Sequence, residues 1–318
     1  MGRFVGLRLL HALGILAIVT VLVFVIGQLM PGDAILAAMA GSVDMSDPSA
    51  VARVRAQYGL DRPIPVQFAS WLADFVTGDW GTSVGTGEKV LSMFLRRVPV
   101  TLELFLGAFL WSIVIGIPAG IVAALKRNSS LDVTLTTATM LGVSIPSFWE
   151  ATLLIYLFGV VLAVLPPSGY VPFFEDPLQN LKTVLLPTFV LGTHTAGLLA
   201  RYVRSSLLET LGQDYIRTAR AKGLSERTVV ALHAAKPAMI PVLTVIGLSW
   251  AQMLGGAFLV EFIFAIPGLG RMSVDAIFAK DFPVMQATLI AVSLNVLLVN
   301  LAVDILYGWL DPRIRVQA

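Results

Sequence analysis

The sequence predicts an all-α integral membrane protein, and its composition and the spacing of its apolar runs carry that prediction. Of 318 residues, 57% are hydrophobic and 13% are charged, and the mean hydropathy is +0.83. Soluble domains carry about a quarter charged residues. A chain this long and this apolar cannot bury all its apolar surface in one water-facing core. The bilayer is therefore its expected solvent.

Six apolar stretches are long enough to cross a membrane, which takes about 20 residues of helix. They cover residues 9–30, 101–125, 133–165, 184–203, 238–264 and 284–307. The third is long and contains Pro146, so we expect it to be kinked, tilted or partly interfacial. The first follows Arg3 and Arg8 and exceeds the apolar region of a signal peptide, about 7–15 residues. We therefore expect it to be an uncleaved span.

Positive charges set the expected orientation, because short cytoplasmic flanks are enriched in Lys and Arg. Cations cluster before the first span and after the second, fourth and sixth. They are Arg3, Arg8, Lys126, Arg127, Arg204, Arg217, Arg220, Lys222, Arg227, Lys236, Arg313 and Arg315. Since these connections alternate, both termini are predicted to be cytoplasmic.

The domain division follows from these spans. Residues 1–30 form the first helix with a cytoplasmic N-terminus, and 31–100 form a small periplasmic cap. A five-helix core covers 101–308, with a cytoplasmic loop at 209–241, and 309–318 is a cytoplasmic tail. Within the cap we expect one helix over 47–58 and a second over 66–76, followed by turns at 78–83.

The cytoplasmic loop carries clear helix signals. Residues 214–222 favour a helix, and Gly223 stands where a left-handed cap would end it. Ser225 is a good N-cap for a second helix, and Glu226 suits its first turn. Pro237 and Pro241 are expected to end or bend the chain as it re-enters the membrane. We expect a two-helix element that docks a partner; a solvated linker is the alternative.

Polar residues inside the spans are candidates for function. Glu150 either lines a translocation path or sits at a helix break near water. Glu261 suits gating or helix-end capping, and His194 suits packing better than ligation. Glu103 and Asp304 lie near span ends and are expected to face the interface. In the second span, Gly116 and Gly120 form a small-xxx-small pair that permits close helix approach.

Several functions are excluded or disfavoured. A net charge of +2 does not favour nucleic-acid binding, and zero cysteines exclude disulfides and thiolate metal sites. No metal site or catalytic residue is predicted, and the chain has no G-x-x-x-x-G-K-[ST] phosphate loop. Ser144 and His194 leave an intramembrane serine protease as a weak alternative.

Short motifs along nearly the whole chain resemble the permease subunits of ABC importers. They include Pro31-Gly32-Asp33, Tyr58-Gly59-Leu60-Asp61-Arg62-Pro63, Gly78-Asp79-Trp80-Gly81, Ser144-Ile145-Pro146-Ser147-Phe148-Trp149, Pro267-Gly268-Leu269-Gly270 and Asp311-Pro312-Arg313. The cytoplasmic loop is similar to the family's EAA loop. It reads Thr218-Ala219-Arg220-Ala221 and lacks a Glu before the alanines, as in the dipeptide, oligopeptide and nickel branch of binding-protein-dependent transporters.

The resemblance implies a type I importer fold and a set of partners. These are a homologous second permease forming a heterodimer, two subunits that bind ATP and Mg, an extracytoplasmic binding protein and membrane lipid. This chain would hold no cofactor and would lie in a bacterial inner membrane. The implied function is an ATP-driven permease for peptides or a related solute. A channel or secondary transporter working without an ATPase is the alternative.

The resemblance also places three sets of residues. The ATPase-coupling loop would use Asp214, Tyr215, Arg217, Ala219, Arg220, Ala221, Gly223, Leu224 and Ser225. The translocation path would use Ser144, Glu150, His194, Gln252 and Glu261. Contact with the binding protein would use Asp61, Arg62, Trp71, Asp79 and Trp80.

Overall fold

The computed structural model describes residues 2–29, 47–49, 52 and 61–310. The helices in these ranges are α1 Gly2–Leu29, α2 Ile64–Thr77, α3 Val90–Leu125, α4 Ser130–Ser144, α5 Ser147–Leu154, α6 Pro177–Leu211, α7 Asp214–Ala221, α8 Glu226–Thr228, α9 Ala235–Ile263, α10 Leu269–Ala279 and α11 Phe282–Leu310. A π-helical turn, Ile155–Val161, extends α5, and another, Val229–Ala234, joins α8 to α9. The described part of the chain contains no β-strand beyond an isolated bridge between Thr82 and Lys89.

Five helical stretches are long and apolar enough to cross a membrane, and a bent pair makes a sixth if it counts as one span. The five stretches are Val5–Gln28, Val90–Leu125, Pro177–Leu211, Glu226–Trp250 and Phe282–Ala302. The predicted all-α membrane fold is therefore confirmed.

The third predicted span is two helices rather than one. Helix α4 and the helix formed by α5 with its π extension meet at an angle of 103°. The bend lies at Ile145 and Pro146, as the sequence suggested. Ile145 has extended backbone angles, φ −77° and ψ 125°, because a residue before proline is kept out of the helical region.

Helix α6 is the centre of the bundle, and α3 packs along its length. Gly116 and Gly120 make this approach possible. A Cβ atom on Gly116 would lie 2.6 Å from the carbonyl oxygen of Ala196, and one on Gly120 would lie 2.5 Å from that of Ala200. The small-xxx-small pair thus lets the α3 and α6 backbones touch, while α4 and α9 cover other faces of α6.

Residues 61–89, the described part of the predicted periplasmic cap before α3 and called the outer segment below, are built around a row of aromatic rings. Helix α2 covers the helix expected over 66–76 and ends at Gly78, whose φ is 94°; the helix expected over 47–58 lies mostly outside the described residues. Successive ring centroids lie between 4.7 and 6.1 Å apart. The members of this aromatic row are Phe24, Phe68, Trp71, Phe75, Trp80 and Phe94. The row connects α1 through α2 to the start of α3.

The chain re-enters the membrane without a helix break at its prolines. Pro237 lies within the continuous helical stretch Glu226–Trp250, three residues after the π-helical turn Val229–Ala234. Pro241 lies inside α9, and the helix continues past it to Ile263. Membrane helices accept such prolines because neighbouring groups satisfy the freed carbonyl. The helix therefore does not end at these prolines, while the alternative expectation, that they bend the chain, stays a prediction.

Candidate docking knob and membrane cavity

Helices α7 and α8 turn about Gly223 and form a compact projection, residues 213–228, which we call the knob. Gly223 has φ +78°, and its N–H donates to the carbonyl of Arg220 at 3.0 Å. The side chain of Ser225 accepts from the N–H of Thr228 at 3.3 Å, as an N-cap should. Both caps expected from the sequence are present.

An ion pair that sequence reasoning missed joins the two knob helices. Arg220 Nη2 lies 2.6 Å from Glu226 Oε1, and Nε lies 3.1 Å from Oε2. This hydrogen bonding raises the pKa of the Arg220 guanidinium above its ordinary value. Two parallel hydrogen bonds between a guanidinium and a carboxylate fix the relative orientation of the two side chains better than a single bond does. The pair therefore holds α8 at a set angle to α7.

The knob has a buried root. Ile216 is 0% exposed, and Ala219 is buried beside it one helical turn along. They pack with residues from the ends of three spans, namely Ala124, Leu207, Val229, Ala234 and Ala238. Ile216 was not among the predicted site residues, although its spacing of three from Ala219 could have marked a shared buried face.

The other predicted coupling residues lie at the knob surface. Those exposed are Asp214, Tyr215, Arg217, Arg220, Ala221, Gly223, Leu224 and Ser225. Ala219 alone of the predicted set faces inward. The knob thus presents a polar surface with two larger side chains, Tyr215 and Leu224, and its inner face is fixed to the spans.

A cavity of about 400 Å³ opens between α3, α4 and α6. Ser144, a predicted path residue, lines it together with Arg201 and Arg204. The carboxylate of Asp132 accepts two hydrogen bonds from Arg204, one from Nε at 2.7 Å and one from Nη2 at 2.8 Å. Ser129 caps α4 by accepting from the N–H of Asp132 at 3.2 Å. This pair ties the start of α4 to α6 beside the cavity.

Other predicted path residues lie on neighbouring surfaces. Glu150 lies close to the side chain of Thr193, whose hydroxyl donates to the carbonyl of Phe189 at 2.7 Å. Thr193 precedes the exposed His194 on α6. Gln252 is exposed on α9. Among the hydrogen bonds of the described residues, none joins Ser144 to His194. The dyad that an intramembrane protease would need is therefore not formed in this part of the chain.

Glu261 has a different environment, because its side chain is 0% exposed. It accepts from Thr101 Oγ1 at 2.6 Å and from the N–H of Arg271 at 3.0 Å. Thr101 Oγ1 in turn accepts from the N–H of Leu269 at 2.7 Å. These bonds satisfy free N–H groups at the start of α10. Helix-end capping, one of the two roles the sequence allowed, is the geometry observed, and a role in the path stays a prediction.

Glu103 and Asp304 are both paired within the chain. Glu103 accepts from the Tyr170 hydroxyl at 2.5 Å and from Asn180 Nδ2 at 2.7 Å. Burial, followed by this bond to Glu103, raises the pKa of Tyr170 above its ordinary value. Asp304 lies 3.1 Å from Arg8 of α1. Both carboxylates hold elements together rather than simply facing the interface.

The predicted binding-protein contacts divide into two kinds. Asp61, Arg62 and Asp79 are exposed. Trp71 and Trp80 are half-buried members of the aromatic row, and Trp80 Nε1 donates to the carbonyl of Phe75 at 3.0 Å. The tryptophans therefore support the surface that the exposed charged residues offer.

A set of hydrogen bonds that the sequence did not reveal, called the Ser83–Asp281 tie below, connects the turn before α3 to the turn before α11. The Ser83 hydroxyl donates to the carboxylate of Asp281, and the N–H of Gly85 donates to it at 3.2 Å. Asp281 lies in the turn between α10 and α11, so the 82–89 turn is fixed to the last outer connection.

Nearly the whole chain matches one family of transport proteins. Residues 116–316 match "Binding-protein-dependent transport system inner membrane component", and residues 1–105 match the corresponding N-terminal region. The chain belongs to this family. It is accordingly a multi-pass inner membrane permease rather than a catalytic subunit. Within the described residues, no group of three or more His, Asp or Glu side chains could hold a metal ion.

Similar proteins agree with this membership. A relative from Brucella abortus (strain 2308), assigned to the peptide transport system permeases, is 44% identical over 97% of both chains. The di/tripeptide transport system permease protein DppB of Pseudomonas aeruginosa (strain UCBPP-PA14) is 41% identical over 94% of both chains. The inward-facing MetNI methionine ABC transporter shares the fold, with a TM-score of 0.58 at 19% identity over 69% of this permease and 96% of that chain.

Proposed function

We propose that this permease is a subunit of an ATP-driven importer of peptides or a related small solute. Its relatives named above are peptide permeases, which supports that solute class. The chain would form the translocation path with a homologous second permease, as a heterodimer. An extracytoplasmic binding protein would deliver the solute to the outer surface near Asp61, Arg62 and Asp79.

The knob is the observation that carries the ATP-driven part of this proposal. Its exposed surface offers an aromatic and an aliphatic side chain, Tyr215 and Leu224, among charged residues, a composition suited to a partner's groove. Its root, Ile216, is packed among three spans. A push on the knob would therefore move the spans as a body. Two partner subunits holding ATP and Mg would supply that push.

The path would run past Ser144, Glu150, His194 and Gln252, with Glu261 shaping its outer end. Cytoplasmic termini, a periplasmic cap at 31–100 and a core at 101–308 complete the proposed arrangement. A channel or secondary transporter would need no partner at the knob, so the contact between knob and ATPase is the point to test.

Copurification tests the docking role directly. Leu224→Asp places a charge on the knob surface and is expected to reduce recovery of the ATPase subunits by about tenfold or more, since a charge at an interface centre is strongly unfavourable. Val76→Asp is the matched control, because Val76 is an exposed apolar residue on the outer segment. Equal ATPase recovery with both variants, or solute uptake without any ATPase, would favour the rival transporter.

Site-directed labelling tests the orientation. The natural chain has no cysteine, so each introduced thiol reports alone. Ser225→Cys on the knob is expected to react with an impermeant maleimide only from the cytoplasmic side. Phe174→Cys, at a position 98% exposed in the loop before α6, is expected to react only from outside. The reverse pattern would overturn the proposed topology.

A further inference from the structure

The cavity between α3, α4 and α6 contains one cation with no counter-charge. Arg204 is fully engaged by Asp132. Arg201, one helical turn earlier on α6, also lines the cavity. In the described part of the chain, no carboxylate forms an ion pair with Arg201, and its guanidinium carbon lies 5.8 Å from the ring centroid of Tyr202. The cavity therefore carries a net positive charge.

The rest of the lining suits a small polar solute. Four of the lining residues carry hydroxyl groups, namely Thr136, Thr139, Ser144 and Ser205; those of Thr136 and Thr139 donate to Asp132 Oδ1 and to the carbonyl of Thr136, respectively. The rest of the wall is apolar, formed by glycine and alanine residues of α3 and α6 and by the larger side chains of Leu135, Met140 and Val143 on α4. Its volume of about 400 Å³ falls in the usual range for small-molecule sites, about 300–1,000 Å³.

The two ends of the cavity have opposite polarity. Arg204 pairs with Asp132 in the first turn of α4, which places Arg201, one turn away on α6, toward that end of the cavity. Helix α4 terminates at Ser144 toward the other end, beside the 103° bend. The last turn of a helix leaves carbonyls without intrahelical partners and carries partial negative charge. Secondary transporters bind their solutes where a spanning helix is broken, because the helix ends there offer unpaired backbone groups, and α4 offers such an end here. A zwitterion fits this arrangement, with its carboxylate at Arg201 and its ammonium near the end of α4.

We propose that this cavity is a solute subsite in which Arg201 binds the carboxylate of the transported peptide. The inference rests on the proposed import of peptides and assigns a specificity role to this chain, apart from the binding protein. Guanidinium groups bind carboxylates through paired hydrogen bonds, and Arg201 is the cavity cation free to make them. An anionic lipid phosphate has similar chemistry, and the test separates it from the solute.

The experiment uses the complete importer in proteoliposomes with saturating loaded binding protein. Uptake of radiolabelled dialanine and of its C-terminal amide is measured with ATP hydrolysis, for the natural chain, Arg201→Gln and Arg201→Lys. Arg127→Gln, at an exposed arginine outside the cavity, is the matched control. The glutamine variant is expected to lower dialanine uptake per ATP about tenfold, the loss typical of a charge-assisted bond, and to leave amide uptake nearly unchanged. The lysine variant is expected to restore part of the dialanine uptake.

The outcomes separate the explanations. Absence of ATP-driven uptake of both dialanine and its amide by the natural chain would reject the import of such peptides, on which the subsite rests. Unchanged dialanine uptake by Arg201→Gln would reject the carboxylate subsite alone. Equal loss of dialanine and amide uptake, reproduced when the natural chain is placed in vesicles without anionic lipid, would assign Arg201 to a lipid phosphate and overturn the proposal. Stimulation of ATPase activity by the loaded binding protein verifies assembly of each variant.

Discussion

Replacing Gly223 with proline is expected to uncouple ATP hydrolysis from transport. Gly223 has φ +78°, whereas proline fixes φ near −65°, so α8 must leave its place beside α7. The Arg220–Glu226 ion pair that spans the turn is then broken. Since nothing lies within 4 Å of a Cβ at this position, the effect comes from the backbone alone. We expect solute transported per ATP to fall on the order of tenfold, measured by uptake and phosphate release in proteoliposomes.

Gly223→Asn is the matched control, because asparagine tolerates left-handed backbone angles better than other non-glycine residues do. It adds a side chain to the same open space and is expected to retain most coupling. Both variants are expected to insert in the membrane in normal amounts, because Gly223 lies outside the apolar spans. Normal solute-stimulated transport by the proline variant would contradict a coupling role for the knob.

Gly120→Ala is expected to destabilise the helix bundle severely. The added Cβ would lie 2.5 Å from the carbonyl oxygen of Ala200 and 2.7 Å from the Cβ of Val203. These are backbone and near-backbone atoms, so α3 and α6 must separate along their shared surface. Overpacking of this kind costs about 1–3 kcal/mol, and we expect the upper part of that range. The measurement is the unfolding midpoint of the detergent-solubilised chain, read by size-exclusion chromatography after heating.

Gly14→Ala provides the comparison, because Gly14 is also a glycine within a spanning helix but nothing lies within 4 Å of its added Cβ. Alanine suits a helix interior better than glycine, so this variant is expected to be neutral or slightly more stable. If both variants unfold at the same temperature, close contact between α3 and α6 is not what limits stability.

Features set by local chemistry were the ones that the sequence predicted well. Apolar length identified the spans, and the caps at Gly223 and Ser225 followed from residue types that favour those backbone angles. The bend at Pro146 was also foreseen as a kink. Its angle of 103° was not, because a proline permits a break while packing of α5 against α6 and α9 determines where the chain goes next.

Features that depend on distant partners were missed or only half-predicted. Glu261 stood out as a charge in a span, but nothing near it in sequence indicated that Thr101 would complete the cap of α10. The knob has a buried root because Ile216 packs against Ala124 and Leu207, which lie on other helices. The Asp132–Arg204 pair joins residues 72 positions apart, beyond the reach of any local pattern.

The aromatic row has a consequence for the order in which the protein is assembled. All six rings lie between residues 24 and 94, so every one has left the ribosome before α6 is synthesised. Chains fold largely from the N-terminus during synthesis, and contacts close in sequence form soonest. The first span and the outer segment can therefore pack together before the later helices of the core have been synthesised. The Ser83–Asp281 tie must form near the end of synthesis, when the last outer turn reaches an already assembled first third of the chain.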